Sequence, residues 1–158
     1  MRVPAVRGII DRRVLVNFRV DPAVLAAVVP SPFRPKLTHD SGMAGVCLIR
    51  VAQIRPRGLP AFVGISSENA AHRIAVEWDS DAGRQEGVFI PRRDTSSRLN
   101  VMAGGRLFPG VHHLADFKVR ETSDTISISL RSRDGETALR VQGHLVADLP
   151  EASILECQ

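Results

Sequence analysis

Cysteine and aromatic residues are scarce in this sequence, and each shortage restricts the kind of protein it encodes. Two cysteines, Cys47 and Cys157, in 158 residues cannot form the disulfide framework of a small secreted domain. Cys47 lies in an apolar run, as buried thiols do, so we expect reduced cysteines and a cytoplasmic location. Aromatic residues make up 4% of the chain and tyrosine is absent, which predicts a core of mainly aliphatic side chains.

Long hydrophobic runs are also missing. The longest uncharged stretch, residues 22–33, is interrupted by two prolines, whereas a membrane-spanning helix needs about 20 mainly apolar residues. No hydrophobic segment of signal-peptide length precedes Asp11. We therefore expect neither a membrane partner nor a secretory signal.

Lysine is nearly absent, although the chain carries a formal net charge of +4. Lys36 and Lys118 are its lysines, and arginine supplies the remaining positive charge. The arginines are spread along the chain without the interleaved aromatic residues of single-strand binders, and no helix-turn-helix, zinc-finger or RNP pattern occurs. We therefore expect no nucleic-acid partner.

The stretch at residues 87–116 combines ionisable side chains with glycines and prolines more densely than any other. A strand at 87–90 leads into a charged turn at 92–94, and a glycine pair at 104–105 predicts a tight turn. Its candidate functional residues are Arg92, Arg93, Arg98, Arg106, His112 and His113. The pattern is typical of a stiff loop that presents functional groups, or of an arginine-rich surface loop with incidental histidines.

The remaining pattern predicts many short strands and one helix. Alternating apolar residues predict a strand that ends at Val20, and Asp21 followed by Pro22 predicts a helix over residues 22–29. Asp134-Gly135 predicts a hairpin turn. Further strands are predicted at 45–54, 61–66, 73–78, 86–90, 115–121, 125–131 and 137–149. Such spacing favours a mainly β protein built as an antiparallel barrel or sandwich.

Two blocks of sequence, GVFIPRRDTSSRLN and GGRLFPGVHH, resemble the DUF2071 (YqjF-like) family of uncharacterised bacterial proteins. RRVLVNFRVDPAVLAAVVP and SSENAAHRIAV are similar to the same family, which is related to the acetoacetate decarboxylase superfamily. The length of the chain predicts a single domain over residues 1–158, and the resemblance covers roughly residues 12–149 of it. The resemblance implies an antiparallel barrel or cone with one or two short helices, whose interior holds a small ligand.

The resemblance implies a changed chemistry at one position. In the decarboxylase branch a Gly-Arg strand leads into a lysine pair, one member of which forms a Schiff base with the substrate ketone. Here Gly105 and Arg106 match the Gly-Arg, and His112 and His113 stand where the lysines would be. Imidazole cannot form that imine, so the resemblance implies the scaffold without the decarboxylase mechanism.

The candidate residues support two functions. His112 and His113 suit proton transfer near neutral pH, and the resemblance implies that Glu68 supplies a carboxylate to the pocket. The arginines offer forks for an anion: Arg92, Arg93, Arg98 and Arg106. We expect a protein that binds a small anionic molecule. The alternative is a non-Schiff-base lyase, hydrolase or isomerase that acts on a small anionic carbonyl compound with histidine as general acid or base.

Metal ligation is disfavoured by the spacing of its possible ligands. Those ligands would be Glu68, His72, His112, His113 and Asp116. Adjacent strand residues point to opposite faces, so the two neighbouring histidines cannot easily share one metal. No HExxH or paired CxxC occurs. We expect no metal and no other cofactor.

The end of the sequence suggests a dimer. The resemblance implies a further segment that helps to cover the pocket, whereas this sequence stops at Gln158. We expect a two-fold homodimer in which the partner covers that place, with Ile154 and Leu155 at or near the contact. The alternative is a monomer with a wide, solvated pocket mouth.

Overall fold

Strands dominate the chain, and they fall into two units, Met1–Leu114 and Ala115–Gln158. The structure is a computed structural model that describes residues 5–103 and 110–147. Its strands are β1 (Val6–Val20), β2 (Arg34–Pro35), β3 (Leu37–Thr38), β4 (Ser41–Pro56), β5 (Ile65–Ser80), β6 (Gly83–Thr95), β7 (His112–Glu121), β8 (Thr125–Ser132) and β9 (Ala138–His144). Its helices are α1 (Pro22–Ala26) and α2 (Arg98–Ala103), with a 3₁₀ turn at Ala61–Val63.

In the first unit, long antiparallel strands pair in the order β1-β4-β5-β6, and the first residues of β7 join β6 in parallel. The short strands β2 and β3 pair with β5 and β4. In the second unit β7, β8 and β9 form an antiparallel meander. The mainly β fold predicted from the sequence is confirmed.

The closed, wholly antiparallel barrel is not what the described strands form. Among them β1 pairs only with β4, and β9 pairs only with β8, so no pairing closes the sheet. The β6–β7 pair is parallel, with Arg93 beside His112 and Thr95 beside Leu114. A parallel pair needs a long crossover, and residues 96–111 lie between these two strands.

Helix α1 begins as the sequence predicts. The Asp21 carboxylate accepts a hydrogen bond from the Ala23 backbone N–H at 2.8 Å, and Pro22 occupies the first turn. The helix ends at Ala26, earlier than predicted, although the N–H of Val29 still donates to the Leu25 carbonyl. Leu25 is buried with an aliphatic cluster formed by Val29, Ile74 and Val76.

Four local predictions differ from the structure. The predicted strand at 61–66 contains the 3₁₀ turn Ala61–Val63, and Glu68, expected between two strands, lies within β5. The predicted charged turn at 92–94 is the end of β6. In each strand, pairing with neighbours on both sides satisfies the backbone and overrides local composition. Helix α2 was not predicted; the Ser97 hydroxyl accepts from the Asn100 N–H at its start.

The second unit forms the predicted meander, although β9 ends at His144 and does not continue through residues 145–147 as predicted. Ile128 and Leu130 are buried on one side of β8, and Gly135 has the left-handed φ of 80° that its turn requires. Gly104–Gly105, Arg106, Ile154 and Leu155 lie outside the described residues, so the predictions made for them remain predictions. No helix in the described ranges is long and apolar enough to cross a membrane.

Candidate functional site

A cavity of about 340 Å³ lies within the first unit. Most of its lining is apolar and comes from β1, β4 and β5: Val6, Gly8, Ile9, Ile10, Ile49, Val51, Ile54, Ala70 and Ala71. Its polar lining residues are Asn69, Arg93, Asp94 and His112. The cavity therefore combines an aliphatic wall with a few ionisable groups, the usual composition of a small-molecule site.

A bulge in β4 places two apolar residues in that wall. Val51 pairs with Ser67 and Ile54 pairs with Ile65, so three steps along β4 match two along β5. Gln53 adopts a left-handed φ of 54° inside this interval. Because the extra residue reverses the alternation of faces, Val51 and Ile54 both line the cavity.

His112 is the imidazole of the cavity. Its Nδ1 donates to the Gly110 carbonyl oxygen at 3.2 Å, which leaves Nε2 as the acceptor nitrogen. Burial lowers the pKa of His112, and the positive charge of Arg93 and the neighbouring His113 imidazole lower it further. The bond to Gly110 opposes this shift but does not cancel it. His112 is therefore a neutral base at pH 7.

His113 lies on the other face of the sheet. In the parallel register Arg93 is beside His112, and Asp94 is beside His113. Since successive strand residues alternate between faces, the His113 side chain leaves β7 on the side opposite to His112, and His113 does not line the cavity. The two adjacent histidines thus have different surroundings.

Asp94, next to the last residue of β6, is fully buried. Its Oδ2 lies 2.7 Å from Nε2 of His72, and its Oδ1 accepts from Nη2 of Arg92 at 2.8 Å. Burial opposes ionisation of this carboxyl, but the bonds to His72 and Arg92 outweigh it and lower the pKa of Asp94. Asp94 is therefore held as a carboxylate.

Glu68 belongs to a different group of charges. Its carboxylate forms ion pairs with Arg12 and with Arg50, the latter at 2.7 Å from Nε to Oε1. The Glu68 side chain is 17% exposed and does not line the cavity. The structure thus separates Glu68 from the cavity wall that contains His112.

The four candidate arginines are distributed among different environments. Arg93 lines the cavity, and Arg92 binds Asp94. Arg98 is exposed at the start of α2, and Arg106 lies outside the described residues. Of the predicted catalytic and anion-binding residues, the structure brings His112 and Arg93 together at one cavity.

An amide network adjoins the cavity at Asn69. The Asn69 Nδ2 donates to the Ser67 carbonyl at 3.0 Å, and its Oδ1 accepts from the Thr95 hydroxyl at 2.8 Å. Asn100 of α2 donates to the same hydroxyl at 3.3 Å. These bonds fix the orientation of the Asn69 amide.

The sequence matches the DUF2071 family, described as an uncharacterized conserved protein, over residues 10–156. The chain belongs to this family. Its fold is similar to a crystal structure of acetoacetate decarboxylase from Legionella pneumophila subsp. pneumophila str. Philadelphia 1, with a TM-score of 0.67 and 17% identity. The match covers 94% of this chain and 53% of that one, so the DUF2071 chain spans about half the length of that structure. No curated protein matches.

Asn69 and Asp94 of this DUF2071 chain were not candidate functional residues on sequence alone, and His72 was one only as a possible metal ligand. These residues lie on two strands whose pairing, Asn69 beside Thr95 and His72 beside Arg92, brings them together. Knowledge of the strand register would have identified these residues, and the register could not be determined from this single sequence.

Metal ligands do not gather in the part of the DUF2071 chain that the structure describes. No group of three or more histidine, cysteine, aspartate or glutamate side chains could hold an ion there. His72 instead bonds to Asp94, and Asp116 pairs with Arg133 at 2.8 Å in the second unit.

Proposed function

We propose that this DUF2071 protein binds a small anionic molecule in the cavity of its first unit. The observation that carries the proposal is the cavity itself, in which Arg93 and His112 are cross-strand neighbours within mainly aliphatic walls, and in which the lining carboxylate, Asp94, is already bonded to His72 and Arg92. A guanidinium beside a neutral imidazole offers charge-assisted donors to a carboxylate or phosphate and one acceptor to a neighbouring hydroxyl.

The size of the cavity limits the ligand. A volume of about 340 Å³ is at the lower end for ligand pockets, which range from about 300 to about 1,000 Å³. Aliphatic walls favour an apolar body, and the polar residues favour a single charged end. The ligand class is therefore a compact organic acid.

Imine chemistry has little support in the structure. Neither Lys36 nor Lys118 lines the cavity. Lys36 forms an ion pair with Glu86, and Lys118 lies in the second unit, where it is aligned with Ser129. We therefore propose a decarboxylase-like scaffold that works without a Schiff-base lysine.

A second function, proton transfer on a bound carbonyl compound, is favoured by the state of His112. An imidazole that is neutral at pH 7, with Nδ1 bonded to a carbonyl and Nε2 left to accept, has the form of a general base. This alternative uses the same cavity and the same anion contact through Arg93.

Thermal unfolding with matched probes tests the binding proposal. We expect isovalerate to raise the melting temperature more than isovaleramide, which has the same shape without the charge. Arg93→Met should abolish that difference, whereas Arg98→Met, which removes an exposed arginine that does not line the cavity, should preserve it. Equal stabilisation by both probes, or by neither, would overturn the anion site.

We also propose that the protein is a homodimer. β1 pairs on one side only among the described strands, and it exposes Ile10 and Phe18, which are 63% and 52% accessible. An edge strand that exposes large apolar side chains favours association with a second copy. Light scattering at micromolar concentration should give a dimer mass that Leu155→Asp reduces. A monomer mass unaffected by that substitution would contradict the proposal.

A further inference from the structure

The outward face of the second unit carries a group of cations without carboxylates between them. Two rows cross the strands β7, β8 and β9: Lys118, Ser129 and Arg140 in one, and Arg120, Ser127 and Gln142 in the other. We call these six residues the cationic face. All of its charged side chains are exposed, and the opposite side of the sheet buries Ile128 and Leu130.

The cationic face is concave. A depression of about 760 Å³ follows it, and its lining also includes Thr122, Thr125 and His144. No aspartate or glutamate is among the described residues that line this depression. The side chains around it are therefore mainly donors: guanidinium, ammonium, hydroxyl and amide groups.

No residue that the structure describes neutralises the cations of this face. Lys118, Arg120 and Arg140 form no ion pair with any described residue. The acidic groups at the ends of the unit have other partners, because Asp116 pairs with Arg133 and Asp124 accepts from a threonine hydroxyl. Like charges on one face of a sheet repel, so this arrangement favours a bound counter-anion.

We propose that the cationic face binds a small multivalent oxyanion that carries at least two phosphate groups. Lys118 and Arg140 are separated by two strand spacings, roughly 9.6 Å, and Arg120 lies two residues, roughly 6.7 Å, along β7 from Lys118. To contact one phosphate, the three side chains would have to converge against their mutual repulsion. Linked phosphates can span them, and the Ser127 and Ser129 hydroxyls between the cations add further donors.

The chemistry of the depression argues against a nucleic-acid strand as the occupant. Single-strand binders stack bases on aromatic side chains, and no phenylalanine, tyrosine or tryptophan lines this depression among the described residues. Recognition here rests on charge and hydrogen bonds. The site is independent of the cavity in the first unit and does not depend on the function proposed for it.

Calorimetric titration of the full chain with inorganic tripolyphosphate tests the proposal. We expect a one-to-one complex that orthophosphate matches only at a concentration at least about tenfold higher, because it forms fewer charge-assisted bonds. Lys118→Gln, Arg120→Gln and Arg140→Gln should each weaken binding about tenfold. Arg19→Gln, which removes an exposed arginine from β1, is the charge-matched control and should leave affinity unchanged.

Nuclear magnetic resonance locates the contact without a variant. Tripolyphosphate should shift backbone amide signals of β7, β8 and β9 and leave those of β4 and β5 unchanged. The proposal would be overturned if tripolyphosphate up to about 1 mM gave no heat of binding and no shift of the amide signals. Equal weakening by Arg19→Gln would also overturn it, as would tighter binding of an oligouridylate than of tripolyphosphate, since the latter would identify a nucleic-acid surface.

Discussion

Nε2 of His72 lies 2.7 Å from Oδ2 of Asp94, and the pair joins β5 to β6. The Asp94 side chain has no exposed surface, and that of His72 is 22% exposed. A buried carboxylate without partners would be strongly destabilising, and here His72 and Arg92 both hydrogen-bond to it. Asp94 lines the candidate cavity, so this bonded group also fixes the end of β6 next to Arg93.

The first prediction is that Asp94→Asn destabilises the protein in a pH-dependent way. The substitution removes the buried negative charge and leaves His72 and Arg92 without the carboxylate that they bond. We expect the free energy of unfolding to fall by about 3 kcal/mol at pH 7. Because the folded pKa of Asp94 is lowered, its stabilisation is complete above the unfolded value of about 3.9 and is lost as the pH falls through the folded pKa. The wild-type and variant curves should converge in acid.

Urea unfolding between pH 7 and pH 2.5 measures this convergence. Asp81→Asn, at an exposed position in the turn between β5 and β6, is the matched control and should change stability by less than about 0.5 kcal/mol. A constant difference between wild type and Asp94→Asn across the whole range would contradict the assignment.

The second prediction concerns the protonation of His112. The pKa of His112 in the folded protein lies below the ordinary value, so the imidazole binds a proton more weakly in the folded protein than in the unfolded chain. The neutral imidazole therefore makes its full contribution to the free energy of unfolding above about pH 6.5. That contribution is lost as the pH falls through the pKa of the folded protein. His112→Gln should be less sensitive than wild type to acidification from pH 7.5 to pH 5, as measured by chemical denaturation. An identical pH dependence in both proteins would argue against a buried neutral imidazole.

Local signals predicted the elements whose neighbours in sequence are also their neighbours in space. Asp21 and Pro22 specified the start of α1, and Asp134-Gly135 specified the turn before β9. The positions of Glu68 and Asp94 could not be predicted in this way. Each is fixed by the register of its strand against a neighbouring strand, with Arg50 opposite Glu68 and Ala70 opposite Asp94, and register depends on the whole sheet.

The third prediction separates a structural from a functional role for Glu68. Glu68→Gln leaves Arg12 and Arg50 without their shared carboxylate, and we expect a loss of about 2 kcal/mol because the group is partly buried. Ligand affinity should stay within about twofold, since Glu68 does not line the cavity. Thermal unfolding and isovalerate titration of the same sample measure both quantities. A large loss of affinity with little loss of stability would show that Glu68 acts on the ligand.

The fourth prediction is that borohydride does not trap acetoacetate or pyruvate on the protein. Trapping requires an imine with a neutral lysine, and neither Lys36 nor Lys118 lines the cavity. Intact-mass spectrometry after reduction should show the unmodified mass. Peptide mapping would identify any adduct, and a stoichiometric adduct on either lysine would disprove the proposal of a scaffold without Schiff-base chemistry.

The fifth prediction compares two strand glycines that differ in the space available for a side chain. A Cβ at Gly45 would lie 2.3 Å from the Val16 carbonyl oxygen, whereas a Cβ at Gly143 would meet its nearest neighbour, Ile126, at 3.9 Å. Gly45→Ala must therefore push β1 away from β4, and we expect it to cost about 1–3 kcal/mol. Gly143→Ala should be neutral or slightly stabilising, because alanine loses less backbone entropy on folding. Urea unfolding of both variants decides the matter. Equal changes in the free energy of unfolding for the two variants would mean that β1 and β4 lie farther apart at Gly45 than the structure shows.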